Sequence, residues 1–264
     1  MEIVFETRFA FFGKSGWRAD TSKKPKLLFE DSHMKTRFHY FEHITLPSLK
    51  AQTDPDFRQI VLSSLRMPEK WQKQLNEMCY DILGEKRCKV HFNGWGLAGR
   101  VFRRQMAEIY EDDETQLAAQ VVLDDDDAVS KDFVEICRRE SVNAAHHFKS
   151  AQDYSYLSFP KGYSMSIEKN KLSFVDRNAP FTNLGLTLIA PANTEQNPFL
   201  TSHKMIGERH PYRMISDTPP SYIRAVHAEN DSLALHDDTE EIPLKIVKEQ
   251  FPSIARFHKL LSKG

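Results

Sequence analysis

An apolar run that ends in four consecutive carboxylates constrains this chain more than any other feature. Val121-Val122-Leu123 leads directly into Asp124-Asp125-Asp126-Asp127. The apolar run suits a strand buried on both faces, as in a parallel sheet. Such a strand cannot carry four charges into a core, so the chain must leave the sheet at Asp124 and the acids must meet water or cations there. In open α/β sheets, ligands bind at the carboxyl ends of strands. Hard cations such as Mg2+ and Mn2+ take oxygen donors, with one or two carboxylates and a substrate's phosphates completing the shell. Two readings stay open from these residues: a cation–phosphate site, or a solvated acidic turn that caps the helix after it.

The rest of the pattern supplies a sheet for that strand. Residues 2–9 and 56–64 read as strands, residues 68–83 as an amphipathic helix stopped by Gly84, and residues 89–92 as a short strand. Helices follow over 98–110 and 130–148, with the strand 117–123 between them. Alternation of strand and helix over the first 150 residues predicts a mostly parallel sheet with helices on both faces. Residues 10–37 read as a long basic loop, and residues 41–52 as helical despite Pro47. Residues 154–159, 162–167 and 172–175 read as an antiparallel meander, and residues 244–251 and 254–261 as closing helices. No Pro/Gly/Ser linker divides the 264 residues, which predicts one domain, with residues 1–150 as one half and 151–264 as the other.

Three other motifs compete for the chemistry. Gly94-Trp95-Gly96-Leu97-Ala98-Gly99 matches the dinucleotide fingerprint and would make the protein an NAD(P)-dependent oxidoreductase. Its preceding strand is short and half polar, unlike the apolar strand that fold requires. Asp125-x-Asp127 also has the spacing of an aspartyl-phosphate phosphatase, a motif that belongs on a first strand. His146-His147 cannot converge on one metal, because neighbours in a helix point apart.

Composition narrows the class. A net charge of -1 gives no field to gather nucleic acid. No apolar run reaches the ~18 residues of a spanning helix, and the first residues, Met1-Glu2-Ile3-Val4-Phe5-Glu6, lack a basic leader. Three scattered cysteines fit a reducing compartment. The expectation is a cytoplasmic protein. Ile254, Phe257, Leu260 and Leu261 form an apolar stripe beside Arg256, Lys259 and Lys263, either a helix packed on its own core or a peripheral membrane contact.

Longer stretches carry a resemblance. Thr7-Arg8-Phe9, Arg37-Phe38, Phe41-Glu42 and Leu46-Pro47-Ser48-Leu49-x-Ala51-Gln52-Thr53-Asp54-Pro55-Asp56-Phe57 resemble the opening of the putative rhamnosyltransferase family, a bacterial group of GT-A-like glycosyltransferases. The likeness continues through Val122-Leu123 and the four acids, Asp132-Phe133, Gly185-Leu186-Thr187-Leu188, His203 and the segment 222–232. It implies an α/β, GT-A-like fold with a small antiparallel C-terminal part. It also implies a metal-dependent transfer of a hexose, such as rhamnose, from a UDP-, dTDP- or GDP-sugar to a saccharide or lipid-linked acceptor. Asp125, Asp127 and His227 would hold Mn2+ or Mg2+, with Asp124 as the partner in a register shifted by one. Thr7, Arg8, Gln52, Ser63, Asp124 and Asp125 would hold the donor. An inverting transfer requires a base, for which His203, Glu195 and Asp217 are the candidates. A binding module with the fold but no turnover is the remaining alternative.

Overall fold

The computed structural model of the protein describes residues 1–14, 24–113, 115–168, 170–226 and 240–262. In the first half, strands β1 (Glu2–Arg8), β2 (Arg58–Ser64), β3 (Cys88–Asn93) and β4 (Leu117–Val122) alternate with helices. These are α1 (Pro25–Leu28), α2 (Asp31–Tyr40), α3 (Leu46–Lys50), α4 (Glu69–Leu83) and α5 (Ala98–Ile109). Then come β5 (Ala128–Val129), α6 (Phe133–Ala145), β6 (Ser155–Ser158), β7 (Lys161–Glu168), β8 (Lys171–Asn178) and β9 (Thr187–Pro191). The chain closes with α7 (Ile206–Arg209), β10 (Tyr212–Met214), β11 (Tyr222–Val226), α8 (Leu244–Gln250) and α9 (Ile254–Leu261).

A seven-stranded sheet has the order β10-β6-β9-β4-β1-β2-β3, and a four-stranded sheet the order β5-β11-β7-β8. In the larger sheet β9 alone runs against its neighbours, β4 and β6. Side chains alternate across it, as the pleat requires. Ile3, Phe5, Val61 and Val121 face α4 and α6, whereas Val4, Ile60, Leu62 and Ala118 face α5. The predicted parallel sheet with a helix layer on each side is therefore observed.

Two expectations change. The long loop read over residues 10–37 contains α1 and most of α2. Met34, Phe38 and Phe41 are buried at spacings of four and three, a narrow apolar line among basic residues. Phe38 packs on Phe9 and Trp71, with ring centroids 4.8 and 5.3 Å apart. The helical run continues past α2 through a π turn, Phe41–Thr45, into α3. Pro47 explains the wider turn: it has no N–H, and its ring would clash with a carbonyl four residues earlier.

The predicted meander is split between the sheets. β6 pairs with β9 and β10, whereas β7 and β8 form a hairpin in the smaller sheet. Phe159-Pro160 carries the chain across, since Pro160 cannot donate to the β6 ladder. Just beyond it, Gly162 leaves space for Tyr222: a Cβ there would lie 2.4 Å from that ring. The two closing helices cover the smaller sheet. Ile254 and Phe257 are fully buried with Val247 and Phe251 against Tyr163 and Phe174, so the terminal stripe packs on the core and Leu260 is its exposed member. No helix of the described residues is long and apolar enough to cross a membrane.

A fully buried carboxyl sits within β1. Glu6 of β1 is fully buried and accepts from Asn197 Nδ2 at 3.1 and 3.0 Å, while the same nitrogen donates to Gln120 Oε1 at 3.0 Å. Burial raises its carboxyl from the usual 4.5 to about 8, against the hydrogen bond from Asn197. The folded protein thus holds a proton that the unfolded chain releases, so stability falls as pH rises between about 4.5 and 8. Glu6→Gln keeps the shape without the charge. It should melt near the parent protein at about pH 5 and above it at pH 8, a difference read by thermal denaturation across that range. Superimposable profiles would place the carboxyl's titration elsewhere.

Candidate active site

The acidic turn spans the passage from one sheet to the other. Leu123 N still donates to Glu6 O at 3.2 Å, Asp124 is the first residue beyond that contact, and β5 begins at Ala128 in the smaller sheet. The four acids do not share one environment. Asp125 and Asp127 are 5% and 4% exposed, whereas Asp124 and Asp126 are partly exposed.

Each inner acid has an assigned partner. Arg37 Nη1 of α2 donates to both oxygens of Asp125, at 2.9 and 2.7 Å. The same guanidinium donates through Nε to His33 Nε2 at 3.0 Å, one helical turn earlier. Asp127 Oδ1 accepts from the backbone N–H of Ala225 in β11 at 2.9 Å. Asp124 differs. Its Oδ1 lies 3.7 Å from Arg8 Nη2 and is a buried acceptor without a hydrogen bond among the described residues.

Three guanidiniums, Arg8, Arg37 and Arg224, lie close enough to act on these charges. Burial nonetheless dominates and pushes the carboxyls up. Asp125 reaches about 6 against the pull of Arg37, Asp124 is raised against Arg8, and Asp127 is raised well above its ordinary value, with Asp126 and Asp124 adding to the effect. Burial also lowers Arg8, with Asp124 opposing. For Arg37 burial works the same way, but Asp125, Asp126 and Asp124 together outweigh it and hold the guanidinium above its usual range.

Because β1, β2 and β4 are parallel, Thr7, Arg8 and Ser63 reach the same sheet end as the acids. Thr7 Oγ1 is buried there without a hydrogen-bond partner among the described residues, and Arg8 lies over the Phe199 ring, 4.6 Å from its centroid. Gln52 has a different task. Its amide donates to Ser48 O and Ser130 O and accepts from Val134 N, bracing α3 against the start of α6 and leaving little for a nucleotide.

No hydrogen bond or ion pair among the described residues joins His203, Glu195 or Asp217 to the turn. His203 Nδ1 is 2.6 Å from Phe181 O, which fixes the proton on Nδ1 and leaves Nε2 as an acceptor in the neutral ring. Glu195 pairs with Arg103 at 2.6 Å, its side chain 81% exposed. Asp217 is exposed beyond the end of β10. His227 lies outside the described residues. Arg37, Arg224 and Phe199 were not singled out as site residues from the sequence. Adjacent carboxylates at a core edge demand cations, but only the fold says which ones.

A family model described as putative rhamnosyl transferase matches residues 2–237. The chain belongs to this family of glycosyltransferases. No curated protein matches it. Among solved structures, S. aureus TarS is similar with a TM-score of 0.45 and 11% identity, over 86% of this chain and 37% of that one. A putative nucleotide-diphospho-sugar transferase from Desulfovibrio desulfuricans G20 gives 0.35 and 11%, over 85% and 82%. The chain thus spans little more than a third of the length of TarS. Membership displaces the dinucleotide reading, and the geometry says why its motif misleads. The glycines follow the edge strand β3, and a Cβ on Gly99 would lie 2.6 Å from Leu200 and 2.9 Å from Asn197, so that glycine serves packing.

Arg37→Met should strand the buried charge of Asp125 and cost about 3 kcal/mol of stability. Adding Asp125→Asn to it should recover most of that loss in urea denaturation. Additive losses in the double variant would mean that the two side chains are not coupled.

Proposed function

We propose that the protein transfers a hexose, rhamnose in the sense of the family's description, from a nucleoside-diphosphate donor of UDP, dTDP or GDP type to a saccharide or lipid-linked acceptor. The observation that carries this reading is the unsatisfied buried oxygen of Asp124 beside partly exposed Asp126, at the carboxyl end of a central strand in a glycosyltransferase family. Asp124 and Asp126, the more exposed of the four, then form the working pair, one residue out of register with the buried Asp125 and Asp127 expected from spacing.

Among the described residues no three His, Cys, Asp or Glu side chains group to hold a metal by themselves. Two carboxylates completed by phosphate oxygens are nevertheless what Mg2+ or Mn2+ takes, and the hard oxygen of Asp124 fits. His227 remains a candidate third ligand. The cation, when bound, neutralises charge on the departing nucleoside diphosphate. Thr7 and Ser63 offer hydroxyls to the donor, and Arg8 sets a guanidinium beside its phosphates. His203, whose Nε2 has no hydrogen-bond partner among the described residues, takes the acceptor hydroxyl's proton, ahead of Asp217 and of Glu195, which is engaged by Arg103. Residues 1–264 act as one domain, in the cytoplasm, where nucleotide sugars are made.

UDP, GDP or dTDP with Mn2+ should raise the melting temperature, since a ligand of the native state stabilises it. Asp124→Asn and Asp126→Asn should abolish that shift and the release of nucleoside diphosphate from a nucleotide-sugar panel. A shift with NAD instead, or full activity in either variant, contradicts the assignment.

A further inference from the structure

A cleft opens at the far end of the larger sheet from the acidic turn. It lies between the end of α6, the start of β6 and the edge strand β10, encloses about 540 Å3, and is lined by Phe148, Tyr154, Tyr212, His147, Gln152 and Arg213 among others. Both β4 and β6 run against β9, so the start of β6 and the acidic end of β4 face opposite ways. With six residues in β4 at about 3.3 Å each, the separation is roughly 20 Å.

Two of the lining rings are held by neighbours. Tyr154 Oη meets His210 Nδ1 at 3.0 Å, and His210 Nε2 meets Thr201 Oγ1 at 3.2 Å. Tyr212 packs edge-on against Phe181, centroids 4.9 Å apart, yet stays 47% exposed. Both formally charged lining residues are engaged, Asp153 by neutral donors and Arg213 by an ion pair. Asp153 accepts from the backbone N–H of Lys149 and of Ser150 and from the Ser150 hydroxyl. Arg213 pairs with Glu140 at 3.2 Å. The Gln152 amide and the Tyr212 hydroxyl have no hydrogen-bond partner among the described residues.

A cleft whose charged groups are already engaged, with packed rings and a solvent-facing amide and hydroxyl, suits a ligand rich in hydroxyls with apolar C–H faces. Aromatic faces are negative and attract polarised C–H groups, and an amide offers both donors and an acceptor. The volume lies within the range of small-ligand sites. We propose that this cleft is an accessory saccharide site, holding the acceptor glycan at sugars remote from the transfer centre. Its link to the acceptor rests on the glycosyltransferase reading above; its capacity to bind saccharide does not.

Saturation-transfer NMR with a rhamnose trisaccharide and with maltotriose tests the proposal. At least one should bind saturably, and Tyr212→Ala and Gln152→Ala should each weaken that binding about tenfold, with melting temperatures and the nucleotide-induced shift unchanged. Absence of binding by both trisaccharides, or binding untouched in both variants, overturns the cleft while the nucleotide shift still supports the transferase reading. Trisaccharide binding that the variants weaken, with no nucleotide shift in any protein, upholds the cleft and removes that reading.

Discussion

The clamp of Arg37 on Asp125 answers a severe electrostatic demand in this fold. A carboxylate 5% exposed among three others would be driven to its neutral form or out of the core without a matched cation. The guanidinium reaches it from α2 across 88 residues of sequence, so one contact fixes a helix against a strand end. The same helical run then serves both sheets: Phe41 enters the core of the larger, and Ile44 that of the smaller. The π turn between them lets a proline-containing helix make both contacts.

Arg8 is held in a different way, from inside the sheet. Glu6 and Gln120 engage Asn197, whose Oδ1 accepts from Phe199 N, and the Phe199 ring lies beneath the Arg8 guanidinium. A buried carboxyl thus supports the platform on which the Arg8 guanidinium rests. Polar groups in a core are tolerable when connected in this manner.

The larger sheet was readable because its strands are apolar and its long helix α4 is amphipathic, signals that survive without tertiary context. α2 was not, since Met34, Phe38 and Phe41 make too thin a stripe among lysines and arginines to register as a face. The split between β6 and β7 was hidden for a related reason: Pro160 reads as a turn whether the chain folds back or crosses to another sheet. At the site, the location of the acids was legible, but not which of them face outward. That depends on where the chain leaves β4, a property of the seam rather than of four identical residues. Arg37 stood in the family-like stretch, yet its partner could only be found in three dimensions.

Gly162 and Tyr222 carry a consequence for how this seam can change over time. The ring occupies the volume a side chain at 162 would need, and Tyr222 pairs with Val129, two residues beyond Asp127. Any larger residue at 162 is admissible only after position 222 has shrunk, and the reverse order leaves a void beside the acidic turn. The two positions therefore drift as a linked pair, and the order of substitution decides which sequences remain reachable.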